Sequence, residues 1–348
     1  MLNLSYSTIC KIPVDYEANK NSTVFSRIKE SNNSFDYLFD NNYDRWILTF
    51  SGGKDSSLAV ILAIEYLLNH KDRIKRIDII YSDTLLEIPS INDYAVSFLQ
   101  FLKNNERLSK LPLYCHIVKP RLEDRFWVNV LGKGYPPPHQ RFRWCTNRLK
   151  IRPCEYGLKK HIIKDKTAII TGVRFGESNS RDQRLNTSCV RGGECGQGIW
   201  FEKSNRLGVG YLAPLINWSS CDVWDYLYGF APSLGYPTKR LKKIYNGHDT
   251  RFGCWMCTVV KQDKAMLRTI EQEEWSYLLP LKDCRNYFWN YTRNIDTRVL
   301  REDGTVSKIK LEHRKYLLKY LLNIQTVVGE ELISEEEIQL IKKIWKNK

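Results

Sequence analysis

The segment at residues 51–57 limits the folds open to this chain more than any other stretch. Its sequence, Ser-Gly-Gly-Lys-Asp-Ser-Ser, lies between an apolar, β-prone run at residues 46–50 and a continuous apolar run at residues 58–64. A strand that passes through a glycine turn into a helix makes an anion site, because free backbone N–H groups and the helix dipole point at one spot. The segment therefore predicts an α/β fold with a phosphate-binding loop. An ordinary Ser/Gly turn is the alternative.

Apolar runs later in the chain repeat the alternation of strand and helix. Pro89 is predicted to begin one helix, and Ser219 or Ser220 to cap another. Strands that alternate with helices imply right-handed crossovers and a mostly parallel sheet. We therefore predict an α/β, doubly wound, mostly parallel sheet. Its further strands are expected at residues 74–81, 113–118 and 167–173.

The composition divides the chain into three predicted regions. Residues 1–44 are polar and are expected to form an N-terminal extension outside the core. Residues 45–260 carry the α/β pattern and the cysteine-bearing loops, and are predicted to be one nucleotide-binding domain. Residues 261–348 are lysine-rich and are predicted to be a helical C-terminal region.

The net charge of +15, from 54 Lys and Arg against 39 Asp and Glu, favours a polyanionic partner, with nucleic acid first. A solvated basic surface is the alternative. The sequence has no run that approaches the roughly 18 apolar residues of a membrane helix. Its first residues lack the apolar centre of a signal peptide. We therefore expect a cytoplasmic protein with no membrane partner.

The ten cysteines are not expected to form structural disulfides in a reducing compartment. Cys254 and Cys257 form a Cys-x-x-Cys pair, which can present two thiolates to one metal centre. Cys145 follows a tryptophan, and Cys189 and Cys195 flank a glycine-rich turn. Ligands gathered from distant loops beside a nucleotide fold favour an iron–sulfur cluster. A zinc site, a redox-active pair and packed thiols remain the alternatives.

Two arginines, Arg174 and Arg181, follow the strand predicted at residues 167–173. Ligands collect at the carboxyl ends of parallel strands. Two guanidinium groups there can bind phosphate oxygens or a phosphoryl transition state with paired hydrogen bonds. Surface ion pairing with Glu177 is the alternative.

Together these motifs carry a family resemblance. Five of them occur in one order, at residues 51–56, 143–150, 172–181, 214–224 and 253–258. The set resembles the phosphoadenosine phosphosulfate (PAPS) reductase-like branch of the ATP-pyrophosphatase, or PP-loop, superfamily. That branch has an adenine nucleotide alpha-hydrolase-like fold. The string at residues 251–260 looks especially like the DndC family, the sulfurtransferases of bacterial DNA phosphorothioation.

This resemblance implies roles for individual residues. It implies that the phosphates of ATP, with Mg²⁺, are held by Ser51, Gly52, Gly53, Lys54, Asp55 and Ser56, and that Asp83 and Gly172 complete the nucleotide site. It implies catalytic roles for Lys54, Asp55, Arg174 and Arg181. It also implies a [4Fe–4S] cluster on Cys145, Cys254, Cys257 and a fourth cysteine, with Cys195 the first choice and Cys189 the second.

The activity implied is the adenylylation of a DNA backbone phosphate by ATP, followed by sulfur insertion. The partners implied are DNA, a cysteine desulfurase and other phosphorothioation proteins. One rival is a sulfonucleotide reductase or sulfate-activating enzyme. Cluster-bearing reductases carry an adjacent Cys-Cys pair and a cysteine in a C-terminal tail, whereas this chain has Trp144-Cys145 and no cysteine after Cys284. The other rivals are a non-catalytic DNA-binding scaffold that uses ATP structurally, and a tRNA-thiolating enzyme.

Overall fold

The computed structural model describes residues 23–176, 200–204, 208–247 and 250–347. Taken over these residues, the chain forms two compact units. The first comprises Met1–Tyr81, Asp93–Ile117 and Leu158–Asp249, and the second comprises Ser82–Asn92, Val118–Gly157 and Thr250–Lys348. Each unit is therefore assembled from separated pieces of chain. Within the described ranges, no helix has both the length and the apolar composition needed to cross a bilayer.

Strands and helices alternate through the first half of the chain, and the second half is mostly helical. The strands are β1 Arg45–Phe50, β2 Arg76–Ser82, β3 Leu113–Val118, β4 Thr167–Ile170, β5 Phe201–Ser204, β6 Val209–Leu212, β7 Arg298–Leu300 and β8 Val306–Ile309. The helices are α1 Thr23–Asp40, α2 Lys54–Leu68, α3 Pro89–Asn104, α4 Arg152–Leu158, α5 Ser220–Asp225, α6 Ala231–Ser233, α7 Lys239–Tyr245, α8 Lys264–Ile270, α9 Leu279–Tyr291, α10 Leu311–Val328 and α11 Glu335–Lys346.

A six-stranded sheet in the order β3-β2-β1-β4-β6-β5 forms the centre of the first unit. β1 pairs in parallel with β2 on one side and β4 on the other, so that Trp46 lies opposite Ile77 and Ala168. β6 continues the parallel arrangement, and only β5 runs antiparallel, at the edge. The predicted doubly wound, mostly parallel α/β sheet is confirmed.

The strand order reverses at β1, and this reversal places the phosphate-binding loop. The chain passes from β1 through α2 to β2 on one side, whereas β4 pairs on the other. The connections leave β1 and β4 in opposite directions, so a crevice opens beyond their carboxyl ends. α2 begins in this position, and it is buried along nearly its whole length because its residues 58–64 are all apolar.

The polar N-terminal region contributes to the core of the first unit. Phe35 and Leu38, both on α1, are fully buried, and the Phe35 ring lies 5.3 Å from the ring of Trp46 on β1. The expectation of an extension outside the core is therefore wrong for residues 23–44. The spacing of the apolar residues on one helical face outweighs the polar average of the segment. Residues 1–22 lie outside the described residues.

The second unit has its own core around Trp127. The Trp127 ring lies 5.3 Å from the ring of Phe288 on α9, and its Nε1 donates to the Leu332 carbonyl oxygen at 2.7 Å. Trp345 on α11 donates to the Leu131 carbonyl oxygen at 2.8 Å. Residues 261–347 are thus mostly helical, as expected, but the short hairpin of β7 and β8 interrupts the helices.

Candidate functional site

The phosphate-binding loop is shaped by two glycines. Gly52 has a φ of +74°, a left-handed conformation that favours glycine. Gly53 is the N-cap of α2 and, as a glycine, has no side chain that could accept from the first helical amides. The N-terminal amides of α2 and its dipole therefore create the positive potential that an anion needs.

Serine hydroxyls close the loop on itself. The Ser51 backbone N–H donates to Ser56 Oγ at 3.1 Å, and the Ser56 hydroxyl donates to the Gly53 carbonyl oxygen at 3.0 Å. Ser57 donates to the same carbonyl oxygen at 3.0 Å. These bonds hold the backbone of residues 51–57 in one conformation, so the loop is preorganised for a ligand.

The Asp55 carboxylate contacts two cations, Lys54 of the loop and Arg174 after β4. Asp55 Oδ2 lies 2.8 Å from Lys54 Nζ, and Asp55 Oδ1 accepts from Arg174 Nε at 2.8 Å. Lys54 and Arg174 are 5% and 6% exposed, so both charges are held in an environment where electrostatic interactions are strong. Lys54, Asp55 and Arg174, which the sequence predicts as catalytic residues, are therefore in contact.

Gly172 explains how β4 reaches this loop. A Cβ atom on Gly172 would lie 2.7 Å from the Asp55 carbonyl oxygen and 2.8 Å from the Ser56 amide nitrogen. Any side chain at this position would collide with the backbone of α2. The sequence predicts Gly172 as part of the nucleotide site. In the structure, Gly172 is the point at which the backbone after β4 comes close to the backbone of α2.

Asp83, predicted to contact the nucleotide, belongs to the second unit. Its Oδ1 accepts from the Leu85 backbone N–H at 2.8 Å, and its Oδ2 lies 3.5 Å from Lys119 Nζ. Leu85 has a φ of +64°, so the Asp83 carboxylate stabilises an unusual turn. A role in nucleotide binding stays a prediction.

The second unit brings together three of the predicted metal ligands, Cys145, Cys254 and Cys257. Cys145 immediately precedes a π-helix, Thr146–Ile151. Burial first, and then the negative charge of Cys257, raises the pKa of the Cys145 thiol. Burial, and after it mainly the charge of Glu87, raises the pKa of Cys254 to about 12, and Cys257 contributes in the same direction. Cys145 and Cys254 each interact electrostatically with Cys257, so the three thiols lie in one region of the second unit.

Backbone contacts fix the Cys-x-x-Cys turn. The Trp255 N–H donates to the Leu86 carbonyl oxygen at 2.8 Å, and the Cys257 N–H donates to the Cys254 carbonyl oxygen at 2.9 Å. Arg285 Nε donates to the Cys257 carbonyl oxygen at 3.0 Å. The turn is therefore held from both sides, by the segment before α3 and by α9.

Polar side chains surround the Cys254 thiol. Its Sγ lies 3.4 Å from Thr84 Oγ1 and 3.9 Å from Glu87 Oε1. Lys150 Nζ lies 3.6 Å from the same Glu87 oxygen, and the charge of Glu87 first raises the pKa of Lys150, with smaller contributions from Cys254 and Cys145. Lys150 is thus a cation among the thiols.

The donor set fits a thiophilic metal centre. Burial and Glu87 disfavour the thiolate form of Cys254, and a bound cation reverses that preference because a metal-bound thiol is deprotonated. Thiolates suit zinc and iron–sulfur clusters equally, so the donor set does not choose between them. The fourth predicted ligand, Cys195 or Cys189, lies outside the described residues, as does Arg181.

The chain is similar to several known proteins. The family model of the phosphoadenosine phosphosulfate reductase domain matches residues 45–260. The chain belongs to this family. Two uncharacterized proteins of Methanocaldococcus jannaschii are similar to it. One is 28% identical over 216 residues, which cover 62% of this chain and 36% of that protein. The other is 26% identical over 214 residues, which cover 60% and 40%. The chain thus spans less than half the length of these curated relatives.

Two solved structures are also similar to this PAPS reductase-family chain. One is the PAPS reductase of Candida auris in a phosphate complex, with a TM-score of 0.40, 15% identity, and coverage of 68% of this chain and 96% of that chain. The other is the FMN adenylyltransferase of Candida glabrata with FAD and inorganic pyrophosphate, with a TM-score of 0.33, 15% identity, and coverage of 60% and 58%.

Three residues of these sites were not predicted from the sequence. The hydroxyl of Tyr245, on α7, accepts from the Lys54 backbone N–H at 3.1 Å. Thr84 and Glu87 contact Cys254. None of the three belongs to a motif, and each lies more than 160 positions from its partner, at separations of 191, 170 and 167 residues. A sequence pattern gives no signal for contacts of that kind.

Proposed function

We propose that this member of the PAPS reductase family is an ATP pyrophosphatase and sulfurtransferase that modifies DNA. ATP and Mg²⁺ bind at residues 51–56, and a non-bridging oxygen of a DNA phosphate attacks the α-phosphorus. Pyrophosphate leaves, and the attached AMP makes that oxygen a good leaving group. A cysteine desulfurase loads a persulfide on a cysteine of the protein, and the terminal sulfur of that persulfide attacks the DNA phosphorus and displaces AMP. A second cysteine thiol then attacks the S–S bond, which leaves a phosphorothioate on the DNA and a disulfide on the protein, and an external thiol reduces that disulfide.

The observation that carries the proposal is the Cys254–Cys257 turn, closed by a backbone bond of 2.9 Å and in electrostatic contact with Cys145, in a chain that also has a hydrogen-bonded glycine loop at the start of α2. An enzyme that only hydrolyses a nucleotide has no use for three gathered thiols. A sulfur-transferring enzyme needs thiol or cluster chemistry, as well as an activated phosphate.

The loop residues have distinct roles in this proposal. Lys54 and Arg174, with Arg181, stabilise the charge that develops on the phosphates in the transition state. The carboxylate of Asp55 and the hydroxyl of Ser56 are oxygen ligands of the kind that Mg²⁺ prefers. Asp55, which contacts both Lys54 and Arg174, would help to hold Mg²⁺, which would neutralise phosphate charge when bound, and Lys54 and Arg174 would contact the phosphates.

Sulfur transfer in this proposal depends on the cysteine thiols. Cys145, Cys254 and Cys257, with Cys195 or Cys189, would hold a [4Fe–4S] cluster, which supplies electron-transfer or sulfur-carrying chemistry when bound. Around them, Lys150 provides a positive charge for an incoming anionic sulfur species, and Thr84 orients the Cys254 sulfur at 3.4 Å. The net charge of +15 favours DNA as the substrate, and other phosphorothioation proteins would select the site.

The test is a reconstituted reaction with ATP, Mg²⁺, DNA, a cysteine desulfurase and ³⁵S-labelled cysteine. We expect pyrophosphate release that depends on DNA, and sulfur in the DNA backbone after digestion to dinucleotides. Cys254→Ser should retain pyrophosphate release and lose sulfur incorporation, because it alters only the thiol group.

Other outcomes would identify the rival functions. Sulfite formed from a free sulfonucleotide, without any DNA requirement, would contradict the proposal in favour of a reductase. Labelled sulfur in tRNA rather than DNA would identify a tRNA-thiolating enzyme. Binding of ATP and DNA without pyrophosphate release, with all partners present, would identify a scaffold.

A further inference from the structure

A cluster of metal-ligand side chains lies in the first unit and takes no part in the proposed function. It consists of Asp78 on β2, His116 on β3 and His161 in the 3₁₀ turn Lys159–His161. One donor atom from each residue lies within 4.8 Å of the other two. Neighbouring strands and the segment before β4 therefore bring two imidazoles and one carboxylate to one point.

The carboxylate of the cluster is held in a fixed orientation. Asp78 is 2% exposed, and its Oδ1 lies 2.7 Å from His116 Nε2. Arg76 donates from Nε to Oδ2 at 2.8 Å and from Nη2 to Oδ1 at 2.9 Å. Oδ1 already has two partners, so a cation would bind it in place of the His116 contact while Arg76 orients the group from behind. Metal-binding carboxylates are supported by such outer hydrogen bonds.

The second imidazole, that of His161, is available as a ligand. Its ring centroid lies 5.6 Å from that of His116. Within the described part of the chain, neither ring nitrogen of His161 has a hydrogen-bond partner. A partly buried imidazole without a partner gains a full interaction when it binds a cation.

We infer that Asp78, His116 and His161 form a binding site for a divalent zinc-like ion. Bonds of about 2.1 Å to a tetrahedral ion place its donor atoms about 3.4 Å apart. No two donor atoms of the cluster are more than 4.8 Å apart, so the most widely separated pair has to approach by at most about 1.4 Å. The closest pair, at 2.7 Å, has to open by about 0.7 Å. Rotation of the partly exposed histidine side chains supplies changes of this size.

The donor set also selects the class of ion. Imidazole suits zinc, copper, iron and nickel, whereas magnesium and calcium prefer sites made only of oxygen. Two imidazoles and one carboxylate leave a fourth position for water. β3 is an edge strand of the sheet, and the bound ion would tie this edge to the turn that precedes β4. We therefore expect the ion to stabilise the first unit rather than to act on the nucleotide.

The test uses the full-length, metal-free protein and Co²⁺ as a spectroscopic substitute for Zn²⁺. Thiolates bind both ions, but they add an intense sulfur-to-cobalt charge-transfer band that a nitrogen and oxygen site lacks. We expect one equivalent of Co²⁺ that adds visible bands without adding to the charge-transfer band, separate from any Co²⁺ bound at Cys145, Cys254 and Cys257. His161→Gln should lose this equivalent and the matching increase in the thermal unfolding midpoint with Zn²⁺. His70→Gln, which alters another partly buried histidine of the first unit, should keep both.

A second measurement does not depend on a variant. In the wild-type protein, Zn²⁺ should shift the imidazole ¹⁵N resonances of His116 and His161 and leave those of His70 unchanged. Equal Co²⁺ stoichiometry and spectra for His161→Gln and wild type would overturn the inference. Unshifted resonances of His116 and His161 at saturating Zn²⁺ would also overturn it. Neither result bears on the pyrophosphatase proposal, because these three residues have no part in that reaction.

Discussion

The loop at residues 51–57 and the thiol group, which is Cys145, Cys254 and Cys257 with the side chains around them, differ in how their residues are distributed along the chain. The loop is made by residues 51–57, with Gly172 and Arg174 added from one neighbouring strand end. The thiol group takes residues from three distant segments, at positions 84–87, 145–150 and 254–257. A site built on one strand–turn–helix unit is encoded locally. A site built from loops depends on the whole second unit to hold its parts in place.

Replacing a thiol should have the largest effect. Cys254→Ser should remove nearly all bound iron, because the buried hydroxyl is a poor ligand and the remaining ligands come from separate segments. Binding of ATP should be unchanged, since the loop does not use this residue. Iron and acid-labile sulfide, measured after anaerobic purification, provide the test, with Cys221→Ser at an exposed cysteine as the control. A full complement of iron in Cys254→Ser would show that the ligand assignment is wrong.

Replacing Lys54, the cation of the loop, should have the next largest effect. Lys54→Ala should slow pyrophosphate release by about 100- to 1000-fold, the usual cost of losing one preorganised transition-state contact. Its iron content should equal that of the wild type if the two regions are built independently. Labelled ATP measures the release. Lys71→Ala, at an exposed lysine just after α2, is the matched control. Loss of iron together with activity would show that the two regions depend on each other.

The close approach at Gly172 should have a moderate effect on stability. Gly172→Ala places a Cβ 2.7 Å from the Asp55 carbonyl oxygen, and overpacking of this kind costs about 1–3 kcal/mol. Urea unfolding followed by circular dichroism measures the change. Gly253→Ala is the control in the second unit, because no atom lies within 4 Å of its added Cβ. Equal stability of the two variants would mean that β4 and α2 separate at little cost.

The smallest effects should come from two helix starts, one in each unit. Ser219 caps α5 and Ser334 caps α11, and each forms a capping box with the acidic residue three positions later. Either serine replaced by alanine should cost about 1 kcal/mol. The capping bonds are local in both units, but Ser334 Oγ also accepts from Arg125 Nη1 at 3.1 Å, so we expect a somewhat larger cost for Ser334→Ala than for Ser219→Ala, measured by urea unfolding. A much larger loss in the free energy of unfolding for one variant would show that contacts outside its own helix account for most of that serine's contribution.

The sequence predicted the first unit more completely than the second. The strand at residues 113–118, the helix from Pro89 and the cap at Ser219 are confirmed, because each is marked by local periodicity or by a capping residue. The antiparallel strand β5 was not predicted, since its four residues show no alternation of polar and apolar side chains. The same limitation applies to the hairpin of β7 and β8 in the helical region.

The amino-acid sequence alone was enough to predict the strand–glycine turn–helix unit, the sheet type and the family, because glycine spacing and apolar runs act over a few neighbouring residues. Only the tertiary structure decided that Thr84 and Glu87 surround Cys254, that Tyr245 contacts the start of α2, and that Asp78 meets two histidines. Such contacts join residues that are far apart in the chain. They exist because packing fixes where each loop ends, and no local pattern records that position.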